Sequence, residues 1–359
     1  MKLIQVNNKN KKDFIKYYED KYLNNPLKRN SMSGLLKDLL NGKSEVCKMV
    51  DLEPVMVVDN SEIIMISVLA YAHRLPEFLQ IGFFEASKLD LSAFKLILNR
   101  AEILAKEKGA RKISGSLNIH VNYGLGFLAS DYDKKQSFGM PHNPEYYHEF
   151  FESNGFNPIP MVSYKKDMNT IKGLFSESLI RKIESKYTVR GVNFKELKRE
   201  AQIYTEVNNK AFKDHLFYYE RKAEEDLELF KDFQFLLKSD NLLFVEKDGH
   251  PVGFMLWYPD FHQLMNPNET VGLKTVIKNK IFPNKIKTFK IVEMGVIPEE
   301  QSKGAILALF NHCFKLTKDK YDSFESGWVL EENFKSKSFG IRWSDGAGKN
   351  YMAYIKDVK

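Results

Sequence analysis

Two stretches in the second half of the chain carry residue types that could do chemistry. Gln301, Ser302, Lys303, Gly304 and Ala305 follow the apolar run FKIVEMGVIP (289–298). They precede a run with Ile306, Leu309, Phe310, Cys313 and Leu316 at helical spacing. A strand-to-helix turn of this kind leaves N–H groups unpaired at the helix N-terminus, where the helix dipole favours an anion. Gly304 lets the backbone approach a ligand with no Cβ in the way, and Lys303 can add charge. The same turn would serve equally as an ordinary solvated loop. Glu293 sits on the strand before it, two residues ahead of Gly295. A carboxylate there could accept the proton of an amine nucleophile, a role worth roughly 10²–10⁴ in rate. It could equally be paired to a lysine or face solvent.

The elements that must position these residues occur twice. In the first half IGFFEAS (81–87) reads as a buried strand. A helix follows, with Leu91, Phe94, Ile97, Leu98, Ala101, Leu104 and Ala105 on one face; Asp90 or Ser92 can start it and Gly109 can stop it. RKISGSLN (111–118) is the next strand. The second half repeats the order with 289–298, the helix after Gly304, and FESGWVL (324–330). Each half has an earlier hairpin, VMVVDNSEIIMISVLAYAH and LLFVEKDGHPVGFMLWYP, the second with Asp248-Gly249 as its turn. Each ends on a similar strand, VSYKKDM (162–168) and MAYIKDV (352–358), with Tyr164 and Tyr354 in register. A repeat of this length is two copies of a whole domain rather than a solenoid. The boundaries expected are 1–170 and 187–359, with a polar, helical linker at 171–186. Glu85 is the repeat partner of Glu293, which favours a structural use for both. The first-half turn, FFEASKLDLSAF, has no glycine, and its Asp90 would repel an anion.

Composition narrows the classes. The 359 residues suit two domains, and 43% hydrophobic residues are ordinary for a globular core. No apolar run is long enough for a membrane span and no signal peptide opens the chain, so a cytoplasmic protein without a membrane partner is expected. Cys47 and Cys313, the two cysteines, have no metal or redox spacing, and the eight histidines show no metal pattern. The net charge of +7 comes mostly from lysines interspersed with acids, which argues against nucleic acid. The cluster HNPEYYHEFFESNGF reads as a helix whose aromatics serve a core or wall a cleft.

Taken together, YTVRGVNFKELK, FVEKDGHPVGFMLWY and VIPEEQSKGAI resemble the GNAT superfamily of acyl-CoA-dependent N-acyltransferases. Val296, Pro298, Gln301 and Gly304 match its usual V-x-P-x-x-[QR]-x-x-G signature, while Ile306 stands where Gly or Ala is usual. GFFEAS, ISGSLNIHVNYGLGFL, MPHNPEYYHEFFESNGF and GWVLEENFKSKSFG resemble segments of tandem-GNAT proteins of uncharacterised function. The resemblance implies an α/β (α+β) chain of two tandem GNAT folds, each a mixed, mostly antiparallel sheet flanked by helices. It implies a coenzyme A site in the second half only. Gln301–Ala305 would cradle the pyrophosphate, Gly295, Val296 and Ile297 would offer amides to the thioester, and Asn333 would touch the cofactor or cap its own helix. Glu293 matches the carboxylate that some members use as base. The family's tyrosine acid would fall near Gly340, which has no hydroxyl.

The expected function is therefore acyl transfer, acetyl-CoA being the expected donor, to an amine of a small molecule or peptide. Such an amine, with a pKa near 10.4, is only about 0.1% neutral at physiological pH, hence the interest of Glu293. The alternative is a catalytically degenerate protein that binds a ligand or acyl-CoA without turnover. A tRNA-dependent transferase of the Fem type also has tandem GNAT domains, but its inserted coiled-coil arm is absent from this sequence.

Overall fold

The computed structural model describes the chain except for Ser31, Lys172, Leu174, Asn268 and Lys359. Among the described residues, the first half runs β1 (Lys2–Gln5), α1 (Lys11–Asp20), α2 (Ser33–Leu40), β2 (Val50–Asp59), β3 (Glu62–Ala72), β4 (Phe78–Ala86), α3 (Leu91–Lys108), β5 (Lys112–Gly115), β6 (Phe127–Leu128), α4 (Tyr147–Glu152) and β7 (Asn157–Asp167). The second half runs α5 (Glu177–Glu184), β8 (Thr188–Gly191), α6 (Leu197–Phe212), α7 (Ala223–Phe233), β9 (Leu242–Lys247), β10 (His250–Pro259), α8 (Leu273–Ile281), β11 (Thr288–Val296), α9 (Ala305–Thr317), β12 (Ser323–Ser326), β13 (Val329–Leu330), α10 (Phe334–Trp343) and β14 (Gly346–Asp357).

Local chemistry explains the repeated parts. Asp90 caps α3 by accepting the Ala93 N–H at 3.0 Å, and Gly109 ends it at φ +72°. The apolar stripe between them, Ala93 to Ala105, is buried against the sheet. The β9–β10 hairpin turns on Asp248 and Gly249 at φ +51° and +75°, and β2–β3 turns on Asn60 and Ser61 at +47° and +71°. Positive φ at both central residues gives a turn whose twist matches the strands. Among the described residues, the stretch expected to be a helical linker has a 3₁₀ turn at Met168–Thr170 and a helix over Glu177–Glu184; Lys172 and Leu174 lie outside the described residues.

The sheet corrects one expectation. Each copy was expected to have its own sheet, yet the described strands join one, in the order β1-β2-β3-β4-β5-β14-β7-β12-β11-β10-β9-β8, with β13 pairing β7 and β6 pairing β14 off this path. It is mostly antiparallel; β4–β5 and β11–β12 are parallel. The two C-terminal strands of the halves are exchanged. β14 inserts between β5 and β7, pairing Tyr354 with Gly115 on one side and with Pro158 on the other. β7 in turn inserts between β14 and β12, pairing Lys166 with Phe324. Tyr354 consequently packs in the first half's core, stacked on Phe151 at 5.1 Å between centroids. Gly115 permits this, since a Cβ there would lie 2.1 Å from the Phe151 ring. Among the described residues no helix is long and apolar enough to cross a membrane.

Because each half completes the other's sheet, the chain should unfold in one calorimetric transition, not two. A fragment of residues 1–170, lacking β14, should show no cooperative melt by circular dichroism. A fragment that melted cooperatively by itself would show that the exchange is dispensable.

Candidate active site

β11 and β12 run side by side only over Thr288–Ile291 and Ser323–Ser326. The last bond between them is Gly327 N–H to Ile291 O at 2.7 Å, and beyond it β12 turns away. Gly327 is needed at the fork, because a Cβ there would lie 2.5 Å from Val292 O. From Val292 onward the edge of β11 has no strand partner on that side. The register of β10 against β11 slips at the same point: Leu256 pairs with Glu293 but Trp257 pairs with Ile291. This bulge at Val292 shifts the pleat by one residue and so brings Lys290 and Glu293 to one face. The edge amides alternate. Ile297 donates its N–H to Val252 O at 2.9 Å, so the amides left to the open edge are those of Met294 and Val296. Of the three residues expected to offer amides there, Val296 fits, while the Gly295 and Ile297 amides turn toward β10. Gly295 serves packing instead: a Cβ there would lie 2.7 Å from Ala211.

Glu293 is held by α6. Tyr204 and Asn208, one turn apart, donate to its two oxygens at 2.5 Å and 2.8 Å. Tyr218 supports Asn208, with its hydroxyl 2.7 Å from Oδ1. Burial raises the Glu293 pKa above the ordinary carboxylate value; the Tyr204 and Asn208 hydrogen bonds oppose that rise. The glutamate is thus neither in a salt bridge nor at the outer surface. Polar residues on the inward face of a helix (Glu200, Tyr204, Thr205 and Asn208 are all buried) were the sequence signal for this support. Lys290, also missed, is 1% exposed, and among the described residues its Nζ has no hydrogen-bond partner. Burial lowers its pKa to about 8, against the pull of Glu325 and Asp260.

The turn before α9 is shaped for an anion. Ser302 and Gly304 lie at φ +60° and +110°. Among the described residues, the amides of Ser302, Lys303, Gly304, Ala305 and Ile306 donate to no protein acceptor. Consecutive free amides at a helix start form an anion-binding concavity. Lys303 is less available than its position suggested, since it lies 3.6 Å from Glu300, which Lys247 and Tyr187 also hold. Lys335 of α10 reaches over to Gln301 Oε1 at 3.3 Å and brings a cation that sequence reasoning did not name. Asn333 caps α10 by accepting the Ser336 N–H at 3.1 Å, and it also lines the cavity described next.

The open edge gives onto a cavity of about 1250 Å³ walled by both halves. Its lining is aromatic and aliphatic around Glu293 at one end, and it reaches Glu85, Lys28 and Tyr22 in the first half. There the same architecture is closed off. A register irregularity again flanks the glutamate, with Ile66 opposite Glu85 and Val68 opposite Gly82. Yet Phe83 N–H is taken by Asn118 Oδ1 and Ala86 N–H by the Tyr147 hydroxyl, each at 2.7 Å. Glu85 is bound by Lys28 at 3.0 Å, and by Tyr22 and Tyr147 at 2.7 Å and 2.6 Å. The anion position at the start of α3 is filled by Asp90 itself.

The last helix carries a further departure. A Cβ on Gly340 would lie 2.3 Å from the ring of Tyr164, so the exchanged strand β7 puts a phenol into the space left by this glycine. Tyr164 also lines the cavity, whereas Tyr354, its sequence counterpart, is fully buried in the other half.

Comparison with known proteins agrees with the fold. No family model matches the sequence. A tandem GNAT protein from the clavulanic acid biosynthesis pathway aligns over 100% of this chain and 98% of its own, at a TM-score of 0.55 and 10% identity. A probable N-acyltransferase from Enterococcus faecalis aligns over 99% of this chain and 72% of its own, at a TM-score of 0.55 and 10% identity. The chain is 24% identical over 292 residues to protein YghO of Escherichia coli, covering 75% of this chain and 72% of that protein. It is 24% identical to the bacterial ceramide synthase of Caulobacter vibrioides, covering 76% of this chain and 73% of that protein. The two solved structures share the fold of this chain, and the first of them is a tandem GNAT protein.

The closed first copy makes a stability prediction. Lys28→Met leaves the buried Glu85 carboxylate without its cation and should cost about 3–5 kcal/mol in urea unfolding. Lys28→Met combined with Glu85→Gln should recover most of that loss. Equal stability of the single and double variants would show that the pair is not coupled.

Proposed function

We propose, from the premise of a GNAT fold repeated in tandem, that the protein is an acyl-CoA-dependent N-acyltransferase. Its site lies in the second half, and its acceptor is an amine borne on a long alkyl chain. The observation that carries this reading is the meeting of three features at one cavity: a strand edge with unpaired amides, a half-buried glutamate held by neutral donors, and a lining rich in aromatic and aliphatic side chains from both halves. At about 1250 Å³ the cavity exceeds the usual size of a drug-like ligand site. The resemblance to a protein named a bacterial ceramide synthase supports a long-chain amine over a peptide, because ceramide is an N-acylated long-chain amine.

Each residue has a part in this scheme. The free amides of Ser302–Ile306 would hold the donor's diphosphate, with Lys335 adding charge. Met294 and Val296 N–H would stabilise the thioester oxygen as charge develops on it, a contribution of about 3 kcal/mol per donor. Glu293 takes the proton of the attacking amine; its raised pKa brings it nearer to neutral pH, where a base works best. The carbon–sulfur bond breaks with its electron pair on sulfur, and Tyr164 supplies the proton. Burial and Glu331 raise the Tyr164 pKa, so it is protonated at neutral pH, and its hydroxyl makes no hydrogen bond among the described residues.

Calorimetric titration should find one coenzyme A site per chain. Gly304→Asp, which puts a strained, anionic side chain at φ +110°, should weaken binding more than tenfold. Unchanged affinity would remove the diphosphate assignment.

Turnover, followed as free thiol release with a long-chain amine, should drop on the order of 10²-fold in Glu293→Gln and in Tyr164→Phe. The wild-type rate should fall with decreasing pH as Glu293 protonates at its raised pKa, and this limb should vanish in Glu293→Gln. The loss in that variant should shrink as pH rises and free amine accumulates. If the wild type binds coenzyme A but releases no thiol with any long-chain amine, the protein is a binder, not a catalyst.

A further inference from the structure

Helix α8 leaves an apolar stripe in solvent. Leu273, Ile277 and Ile281 are 75%, 47% and 61% exposed, and Phe282 just beyond is 45% exposed. At about 100° per residue the three helical positions form one ridge, with Lys280 on one flank and Lys274 on the other. The opposite face fixes the helix: Thr275 is buried, Val276 packs beside Phe138, Tyr258 and Phe261, and Lys278 turns inward to Glu269 at 2.6 Å and Leu264 O at 3.0 Å. Between Glu269 and Glu293 the chain holds no acid but has Lys274, Lys278, Lys280, Lys285, Lys287 and Lys290. Lys274, Lys280, Lys285 and Lys287 are exposed and make no ion pair among the described residues. Lys285 lies over the Phe282 ring at 4.4 Å. Leu273, Val276 and Lys280 also line the cavity between the halves.

We propose that α8 and the following Phe282–Lys287 segment dock the protein on an anionic lipid bilayer, the apolar ridge entering the headgroup boundary and the lysines meeting lipid phosphates. A short helix with an apolar ridge between lysines lies in the plane of such an interface, and each lysine near an anionic surface adds to the attraction. A second copy of the chain fits this face less well. It would bring lysine against lysine, and a ridge of four side chains falls short of the roughly 800 Å² per partner of a stable interface. Placed this way, the cavity opens beside the bilayer, so an amphipathic substrate can pass into it without crossing water. The inference goes beyond the transferase reading and departs from the expectation of no membrane partner drawn from composition, which looked only for spanning segments.

Flotation with vesicles tests it without any turnover, so its failure and that of the transferase reading are separable. The full chain should float with vesicles of phosphatidylcholine and phosphatidylglycerol, bind those of phosphatidylcholine alone at least tenfold more weakly, and lose binding as salt is raised. Lys274→Glu with Lys280→Glu should reduce partitioning at least tenfold, and Ile277→Asn should also weaken it. Their circular dichroism melts should match the wild type, because these side chains are exposed. The proposal is overturned if the wild type ignores anionic vesicles or if the variants bind as the wild type does. It is also overturned if sedimentation shows a dimer that Ile277→Asn dissolves while vesicle binding is absent.

Discussion

The ladder between β7 and β14 is the contact on which the rest of the molecule depends. Each strand belongs by sequence to one half and completes the sheet of the other. Backbone hydrogen bonds leave little freedom once a register is set, and a slip of one residue would move every side chain to the wrong face. The register therefore places Tyr354 in the first half's aromatic core and Tyr164 beside Gly340 in the second. The forks at β4/β5 and β11/β12 then face one shared cavity. A pair of separately closed sheets would have had two unrelated clefts.

Within that frame the two copies share the strand, bulge and fork around the glutamate and differ in how its polar groups are satisfied. Both have the bulge beside the glutamate. In the first copy the carboxylate is bound by Lys28 and two phenols, the edge amides are capped by Asn118 and Tyr147, and the helix start is filled by Asp90. A buried charge that is fully paired has no capacity left for a ligand. In the second copy the corresponding groups meet only neutral donors, or no protein partner. The difference between a structural unit and a site for chemistry is thus a matter of a few side chains that saturate the same donors and acceptors. At the first copy's end of the cavity, Glu85 and Lys28 of its wall are already paired with each other.

Much of this was legible in the sequence because it is local. Apolar period, the Asp90 and Gly109 helix ends, the Asp248-Gly249 turn and the turn before α9 each follow from residues within a few positions of one another, and they recur in both halves. That sufficed for two copies of one fold, and for a glycine-containing helix start in the second copy against one filled by Asp90 in the first. Glu293 could be named but not assigned a partner, since Tyr204 and Asn208 are some 85 to 89 positions away.

What the tertiary structure alone decided is everything that joins positions remote in the chain. Strand exchange is invisible to periodicity, because VSYKKDM and MAYIKDV read alike wherever they pair. The identity of the edge amides depended on the alternation set by β10 and on the bulge at Val292, which moved the free donors to Met294 and Val296. Lys28 meets Glu85 across 57 positions of the first half, and Tyr164 meets Gly340 only because β7 lies in the second half's part of the sheet. The exposed ridge of α8 has the same origin. Its spacing is readable in the sequence, but which face turned to solvent was settled by the burial of Thr275 and the packing of Val276 beside the Phe138 cluster. Sequence determines which residues can satisfy one another within a turn or a hairpin, and packing determines which polar groups and apolar faces are left over.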